Sequence, residues 1–213
     1  CMDNDKIRRN KPSTFIKFGE RQAILVSLYG ISEAFRILFD GIIMLKDKIN
    51  KKDSEYIKLL HDIISEWSEL IGKNLIVGQM LDLKQNIEEL IDFKITDFDD
   101  KKIMIYKTCS LFIFSFLLGA IFSGEDVNLS EYKKMGYYMG LMYQIMDDFK
   151  DVNTDDPLIN YIKKTGEVNS LKVYLEARKQ LLVLLKNNNI STKELLNLIK
   201  LIDSKIPFDL NKY

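Results

Sequence analysis

Three carboxylates, Asp147, Asp148 and Asp151, fall together directly after the stretch Tyr143-Gln144-Ile145-Met146. On a helix, at about 100° per residue, Asp147 and Asp151 lie about 40° apart and all three project within an arc of about 100°. Gln144 borders that arc one turn earlier. Like charges on one helix face repel and weaken the helix, so something positive should compensate them. Hard divalent cations, which take oxygen ligands, meet that need. A solvated acidic helix end is the other reading, and the motif alone leaves both open.

Two basic sites stand out beside it. Arg8-Arg9 follows the acidic pair Asp3 and Asp5, and Lys107-Thr108 opens the most apolar stretch of the chain, where a charge and a hydroxyl serve packing poorly. Guanidinium and ammonium groups of this kind hold phosphate, arginine in bidentate geometry. Each alone reads as surface charge. Taken with the acidic motif, they point to metal-bridged phosphate held from several sides, as expected where a diphosphate is substrate or leaving group.

The chain that must position these groups has 213 residues, 46% of them hydrophobic, enough for a sizeable core and against general disorder. Lys+Arg and Asp+Glu both number 31, for a formal net charge of +0. That balance argues against nucleic acid held by bulk charge, so any anionic ligand is bound by local clusters. Only 10 Gly and 3 Pro are present, the composition of a helical protein. Cys1 and Cys109 form neither a metal spacing nor a disulfide framework, which suits a reducing, cytoplasmic compartment. The one histidine, His61, sits in a helical pattern and reads as a surface or packing residue. The chain begins with Cys rather than Met, so the true N-terminus is expected upstream.

Helical periodicity dominates the chain. From about Phe18 to Lys48 the apolar residues become nearly continuous, predicting a long, deeply buried helix or two. Asp53 is a candidate cap for a helix through His61 and Trp67 to about Lys84, with Gly72 and Gly78 as candidate close helix contacts. Residues 92–100 read as an acidic loop. Thr108 to Ser123 carries no charge; at the short limit for a membrane span and with small polar residues inside it, it predicts a helix buried on all sides. A helix over 130–151 ends in the acidic cluster. Two more follow, near 158–187 with a break at Gly166 and near 192–203, where Ser191 or Thr192 could cap. No strand pattern of useful length and no internal repeat is present. Together these patterns predict an all-α fold, one domain over residues 1–213.

The residues resemble the trans-isoprenyl diphosphate synthases, most like the short-chain geranylgeranyl and farnesyl diphosphate synthases. Cys1-Met2-Asp3-Asn4-Asp5 with Arg8-Arg9, Lys11-Pro12 and Phe18-Gly19-Glu20 resembles the end of that family's first aspartate-rich motif and its arginine extension. Gly78-Gln79-Met80-Leu81-Asp82-Leu83 resembles its Gly-Gln-x-x-Asp-Leu, and Lys107-Thr108-x-x-Leu111-Phe112 its Lys-Thr-x-x-Leu-Phe. Tyr143-Gln144-x-x-Asp147-Asp148-x-x-Asp151 resembles its second aspartate-rich motif, with Tyr for the usual Phe. Four motifs in the same order are far more specific than any one.

The resemblance implies the isoprenoid synthase fold, a bundle of long, mostly antiparallel helices around a central cavity. It implies Mg²⁺ held between two aspartate motifs, Asp3 in the first and Asp147, Asp148 and Asp151 in the second. Arg8 and Lys107 would contact an allylic diphosphate (dimethylallyl, geranyl or farnesyl), and Arg9 the diphosphate of isopentenyl diphosphate. Thr108 and Gln144 would line the reacting centre, with Lys107 and Asp147 completing the catalytic set. The implied reaction is prenyl chain elongation by a homodimer, with membrane association only through a segment upstream of Cys1.

Departures from the family pattern are specific. The leading Asp-Asp pair of the first motif and the upstream helices are absent from this sequence, Asn10 replaces a Gly, Phe15 a His, and Cys109 a Gly or Ala. The basic lid after Asp151 is also absent, which predicts missing residues near 155–156; Lys163 and Lys164 read as surface charges rather than its substitutes. Three alternatives remain: a terpene cyclase of the same fold, a non-catalytic subunit of a heteromeric synthase, and a membrane-embedded helical protein. Arg8-Arg9 with Lys107-Thr108 disfavours the first, the complete second aspartate motif the second, and the charges flanking almost every helix the third.

Overall fold

The computed structural model describes residues 6–46, 52–83, 100–154 and 160–210. The chain divides into two compact units, Cys1–Asp62 and Ile63–Tyr213.

The first unit opens with a two-stranded antiparallel hairpin, β1 (Ile7–Arg8) paired with β2 (Lys11–Pro12). A short helix α1 (Thr14–Phe18) follows, closed by Gly19 at φ 92°, where a side chain would be strained. Helix α2 (Glu20–Lys46) runs unbroken for 27 residues, so the apolar stretch is one helix, not two. Its burial differs from the expectation. Ala23, Leu38, Ile42 and Leu45 are buried, but Ile24, Leu25, Leu28 and Ile31 are exposed. The physical reason is a shortage of partners: a helix apolar all round needs neighbours on every side, and within this unit only short elements pack on it. Its end is fastened to the start of α3 (Asp53–Trp67). There the Tyr56 hydroxyl donates to the Ile42 carbonyl at 2.9 Å and Lys46 pairs with Asp53 at 3.3 Å. His61 lies on the surface beside Asp62, as its pattern suggested.

In the second unit α3 continues through a wide π-helical stretch, Ser68–Asn74, into α4 (Leu75–Asp82). A second interrupted helix has the same plan: α5 (Asp100–Met104), a π-helical stretch Ile105–Cys109, and α6 (Ser110–Ser123). Gly124, left-handed at φ 75°, ends it. Asn128 caps α7 (Leu129–Lys150), its side chain accepting from the Ser130 N–H at 3.1 Å. Beyond lie α8 (Tyr161–Thr165), α9 (Glu167–Asn187) and α10 (Lys193–Asp203). Gly166 at φ 81° makes the expected break, and Thr192, rather than Ser191, caps α10 through the Leu195 N–H.

Helix α7 is the axis of this unit. Met135, Met139, Met142 and Ile145 are fully buried against α6 and α9, whose Leu171, Tyr174, Ala177, Leu181 and Leu185 recur at helical spacing. Burying a side chain of this size contributes about 1.5–3 kcal/mol. Asp203 anchors α10 to α9, accepting from the Tyr174 hydroxyl at 2.6 Å and from Arg178 Nε at 3.0 Å. Helix α6 is covered on one side only. Phe114, Leu117, Ala120 and Ile121 are buried, whereas Leu111, Ser115, Gly119 and Phe122 form an exposed stripe. The expectation of burial on all sides fails because its partners in the unit pack on one face. Lys101–Ser123 is the one described helix long and apolar enough to cross a membrane by length and composition.

Candidate active site

The second unit places Lys107 and Thr108 by backbone packing. They sit in the π-helical stretch Ile105–Cys109, and irregularities of that kind recur at functional sites. Glycines flank the stretch on both sides. A Cβ at Gly78 of α4 would lie 2.7 Å from the Tyr106 carbonyl carbon and 2.8 Å from Lys107 Cα. A Cβ at Gly140 of α7 would lie 2.7 Å from Cys109 Cα. Both are closer than atoms can approach, so α4 and α7 reach this backbone only because they carry no side chain there. Gly78 is thus a close contact, whereas Gly72 has nothing nearer than 3.9 Å. Cys109, the bulkier residue at a position of small ones, is fully buried on Gly140. Burial pushes its thiol up to about 12, so it is inert at neutral pH.

From that backbone the side chains run in two directions. Lys107 Nζ donates to Asp82 Oδ2 at the end of α4, both groups largely sheltered. The Thr108 hydroxyl donates to Gln144 Oε1 across the α6–α7 interface. Gln144 Nε2 then donates to Asp148 Oδ1 at 2.8 Å, and Asp148 Oδ2 accepts the Tyr161 N–H at 3.0 Å. Asn160, fully buried, donates to the Asp148 main-chain oxygen at 2.8 Å and caps α8 by accepting from Ile162 N and Lys163 N. One continuous chain of hydrogen bonds therefore runs from Thr108 to the start of α8. It fixes Gln144 with its carbonyl toward the hydroxyl and its amide toward the carboxylate.

The three carboxylates are not equivalent. Asp148 is buried, 6% exposed, with both oxygens bonded to protein. Asp147 and Asp151 stand on the open side, with side chains 44% and 35% exposed, and Lys150 lies between them. All three occupy the C-terminal end of α7, the negative end of its dipole, where carboxylates are disfavoured. Among the described residues no group of three His, Cys, Asp or Glu side chains comes together as a metal cage. Mg²⁺ rarely needs one: it takes one or two carboxylates and completes its shell with water and substrate phosphate. The outward pair Asp147 and Asp151 fits that demand.

Of the residues singled out in the sequence, Lys107, Thr108, Gln144 and Asp148 are brought together here, with Asp147 and Asp151 on the adjoining open end. Arg8 and Arg9 belong to the first unit, on the hairpin, where Arg9 at φ 52° and Asn10 at φ 60° form the turn. Asn tolerates that left-handed backbone; Arg does so at a cost of about 1–2 kcal/mol. Asn10 thus does locally what a Gly would. Asp3 and the 155–156 junction lie outside the described residues. Lys163 and Lys164 are exposed on α8. Asp82 and Asn160 are site residues that sequence reasoning misses. Asp82 lies inside a family-like motif whose spacing names no partner for it, and Asn160 carries the ordinary signal of an N-cap.

The comparisons with known proteins agree with one another. The polyprenyl synthetase family model matches residues 1–167. The chain is 33% identical to a farnesyl diphosphate synthase of Buchnera aphidicola subsp. Schizaphis graminum, the match covering 92% of this chain and 67% of that protein. It is 31% identical to geranylgeranyl pyrophosphate synthase 4 of Arabidopsis thaliana over 71% of this chain and 37% of that protein. A solved geranyltransferase from Legionella pneumophila superposes with TM-score 0.65 over 95% of this chain and 65% of that one, at 21% identity. That likeness bears out the all-α isoprenoid synthase class as a fold. The chain spans about two thirds of the bacterial relatives and a little over a third of the plant one.

Proposed function

The chain belongs to the polyprenyl synthetase family, and on that premise we propose that it acts in trans-prenyl chain elongation, condensing isopentenyl diphosphate with an allylic diphosphate. The observation that carries the reading is the Thr108–Gln144 hydrogen bond. It joins the irregular helix that carries Lys107 to the helix whose end carries the carboxylates.

In the proposed reaction the allylic carbon–oxygen bond breaks and diphosphate leaves with the electron pair. The isopentenyl double bond then attacks the allylic cation, and the resulting cation loses a proton to the departed diphosphate. Asp147 and Asp151 would hold Mg²⁺, which would supply charge stabilisation for the leaving group; Asp3 would be a further ligand on the strength of the resemblance alone. Lys107, on releasing Asp82, adds a second positive charge to the same group. Thr108 and Gln144 would present oxygen dipoles to the carbon that becomes positive. Arg8 would hold the allylic diphosphate and Arg9 that of isopentenyl diphosphate, both through guanidinium forks. No histidine base is required, in keeping with a chain whose one histidine is on the surface.

A homodimer is the proposed assembly, supported by the exposed stripe Leu111, Ser115, Gly119 and Phe122 on α6; a monomer in sedimentation equilibrium would remove it. The enzymatic reading is tested by incubating the full-length protein with Mg²⁺, isopentenyl diphosphate and each allylic diphosphate in turn. A longer prenyl diphosphate is expected, and no elongation of any of them rejects the proposal.

A further inference from the structure

The end of α7 gathers three carboxylates at the negative pole of a helix, and the Lys150 ammonium lies beside two of them. Lys150 Nζ lies 3.8 Å from Asp147 Oδ1, and 3.2 and 3.3 Å from the two oxygens of Asp151. It reaches Asp151, its sequence neighbour, because the helix ends there: Asp151 has left helical geometry at φ −99°, ψ 10°. The ammonium therefore bridges the two outward carboxylates, the pair proposed to hold the cation. Asp148, turned inward to Gln144 and Tyr161, takes no part. The Lys150 side chain is 62% exposed, so nothing in the packing holds it in place.

We propose that Lys150 is a built-in competitor for the divalent cation, bridging Asp147 and Asp151 when the cation is absent and swinging out when it binds. The inference rests on the reading of Asp147 and Asp151 as metal ligands. Two effects follow from the geometry. In the metal-free state an exposed ion pair is weak, so displacing the ammonium weakens cation binding by no more than about fivefold. In the metal-bound state the displaced ammonium stays within a side-chain length of a doubly charged ion and repels it, a further loss that salt screens. Lys150 thereby raises the concentration of cation the site requires, while keeping the acidic helix end compensated when the site is vacant.

The test is Mn²⁺ binding to the full-length protein without diphosphate, read from the loss of the free-ion electron paramagnetic resonance signal and reversed by Mg²⁺. Lys150→Met is expected to tighten Mn²⁺ about 3- to 10-fold at low salt, and less at high salt. Lys150→Arg, which keeps the charge, is expected to stay near wild type. Unchanged or weaker binding in Lys150→Met overturns the role of Lys150. If Asp147→Asn in that case still abolishes wild-type binding, the metal-ligand reading survives. Failure of every one of these proteins to bind Mn²⁺ overturns both.

Discussion

In the middle of α7, backbone meets backbone: Gly136 and Gly140 admit residues 112–113 and Cys109 so closely that added side chains would collide. Two turns on, at its C-terminal end, Asp147 and Asp151 are partly exposed, with an exposed lysine between them. Asp148 belongs to the first regime although it is adjacent to Asp147. The contrast separates two tasks. Groups whose positions must be fixed, Thr108 and Gln144, are tied to the packed part. Groups that must exchange partners as a charged ligand arrives are left at the open end, where ion pairs are weak.

That contrast can be broken from the packed side first. Gly78→Ala forces α4 away from the Lys107 backbone and is expected to cost about 1–3 kcal/mol, seen as a lower midpoint in denaturant unfolding; unchanged stability would show that the contact is not tight. Asp148→Ala leaves the Tyr161 N–H without its acceptor and frees the Gln144 amide, for an expected loss of about 1–3 kcal/mol. Asp147→Asn removes one of three like charges at the negative end of a helix, so its stability should change by no more than about 0.5 kcal/mol, in either direction. If Asp147→Asn destabilises as much as Asp148→Ala, the two carboxylates are alike and the distinction drawn between them is wrong.

Much of the architecture is legible in the sequence because helical periodicity and caps are local signals. The expected helix over 130–151 is α7, Gly166 breaks the next, and Thr192 caps the last. Motif order points to the family that the comparisons identify. What is not legible depends on partners. An apolar helix does not say what covers it, so the deep burial expected of α2 and the full burial expected of α6 both fail. Angular spacing puts Asp147, Asp148 and Asp151 on one arc. It cannot show that Asn160 and Tyr161 fold back onto Asp148, or that Asp151 lies just beyond the last helical residue. The π-helical stretch that carries Lys107 has no sequence signal of its own; Gly78 and Gly140, which permit it, mark its place only once the neighbours are known.

The central claim is that the open end of α7 holds diphosphate through a divalent cation. Calorimetric titration of inorganic pyrophosphate into the full-length protein, with and without Mg²⁺, tests it most directly. Binding that requires Mg²⁺, and that falls at least about tenfold in Asp147→Asn while the fold stays intact, is the expected result; tenfold corresponds to about 1.4 kcal/mol. Pyrophosphate binding that ignores both Mg²⁺ and Asp147 would contradict it.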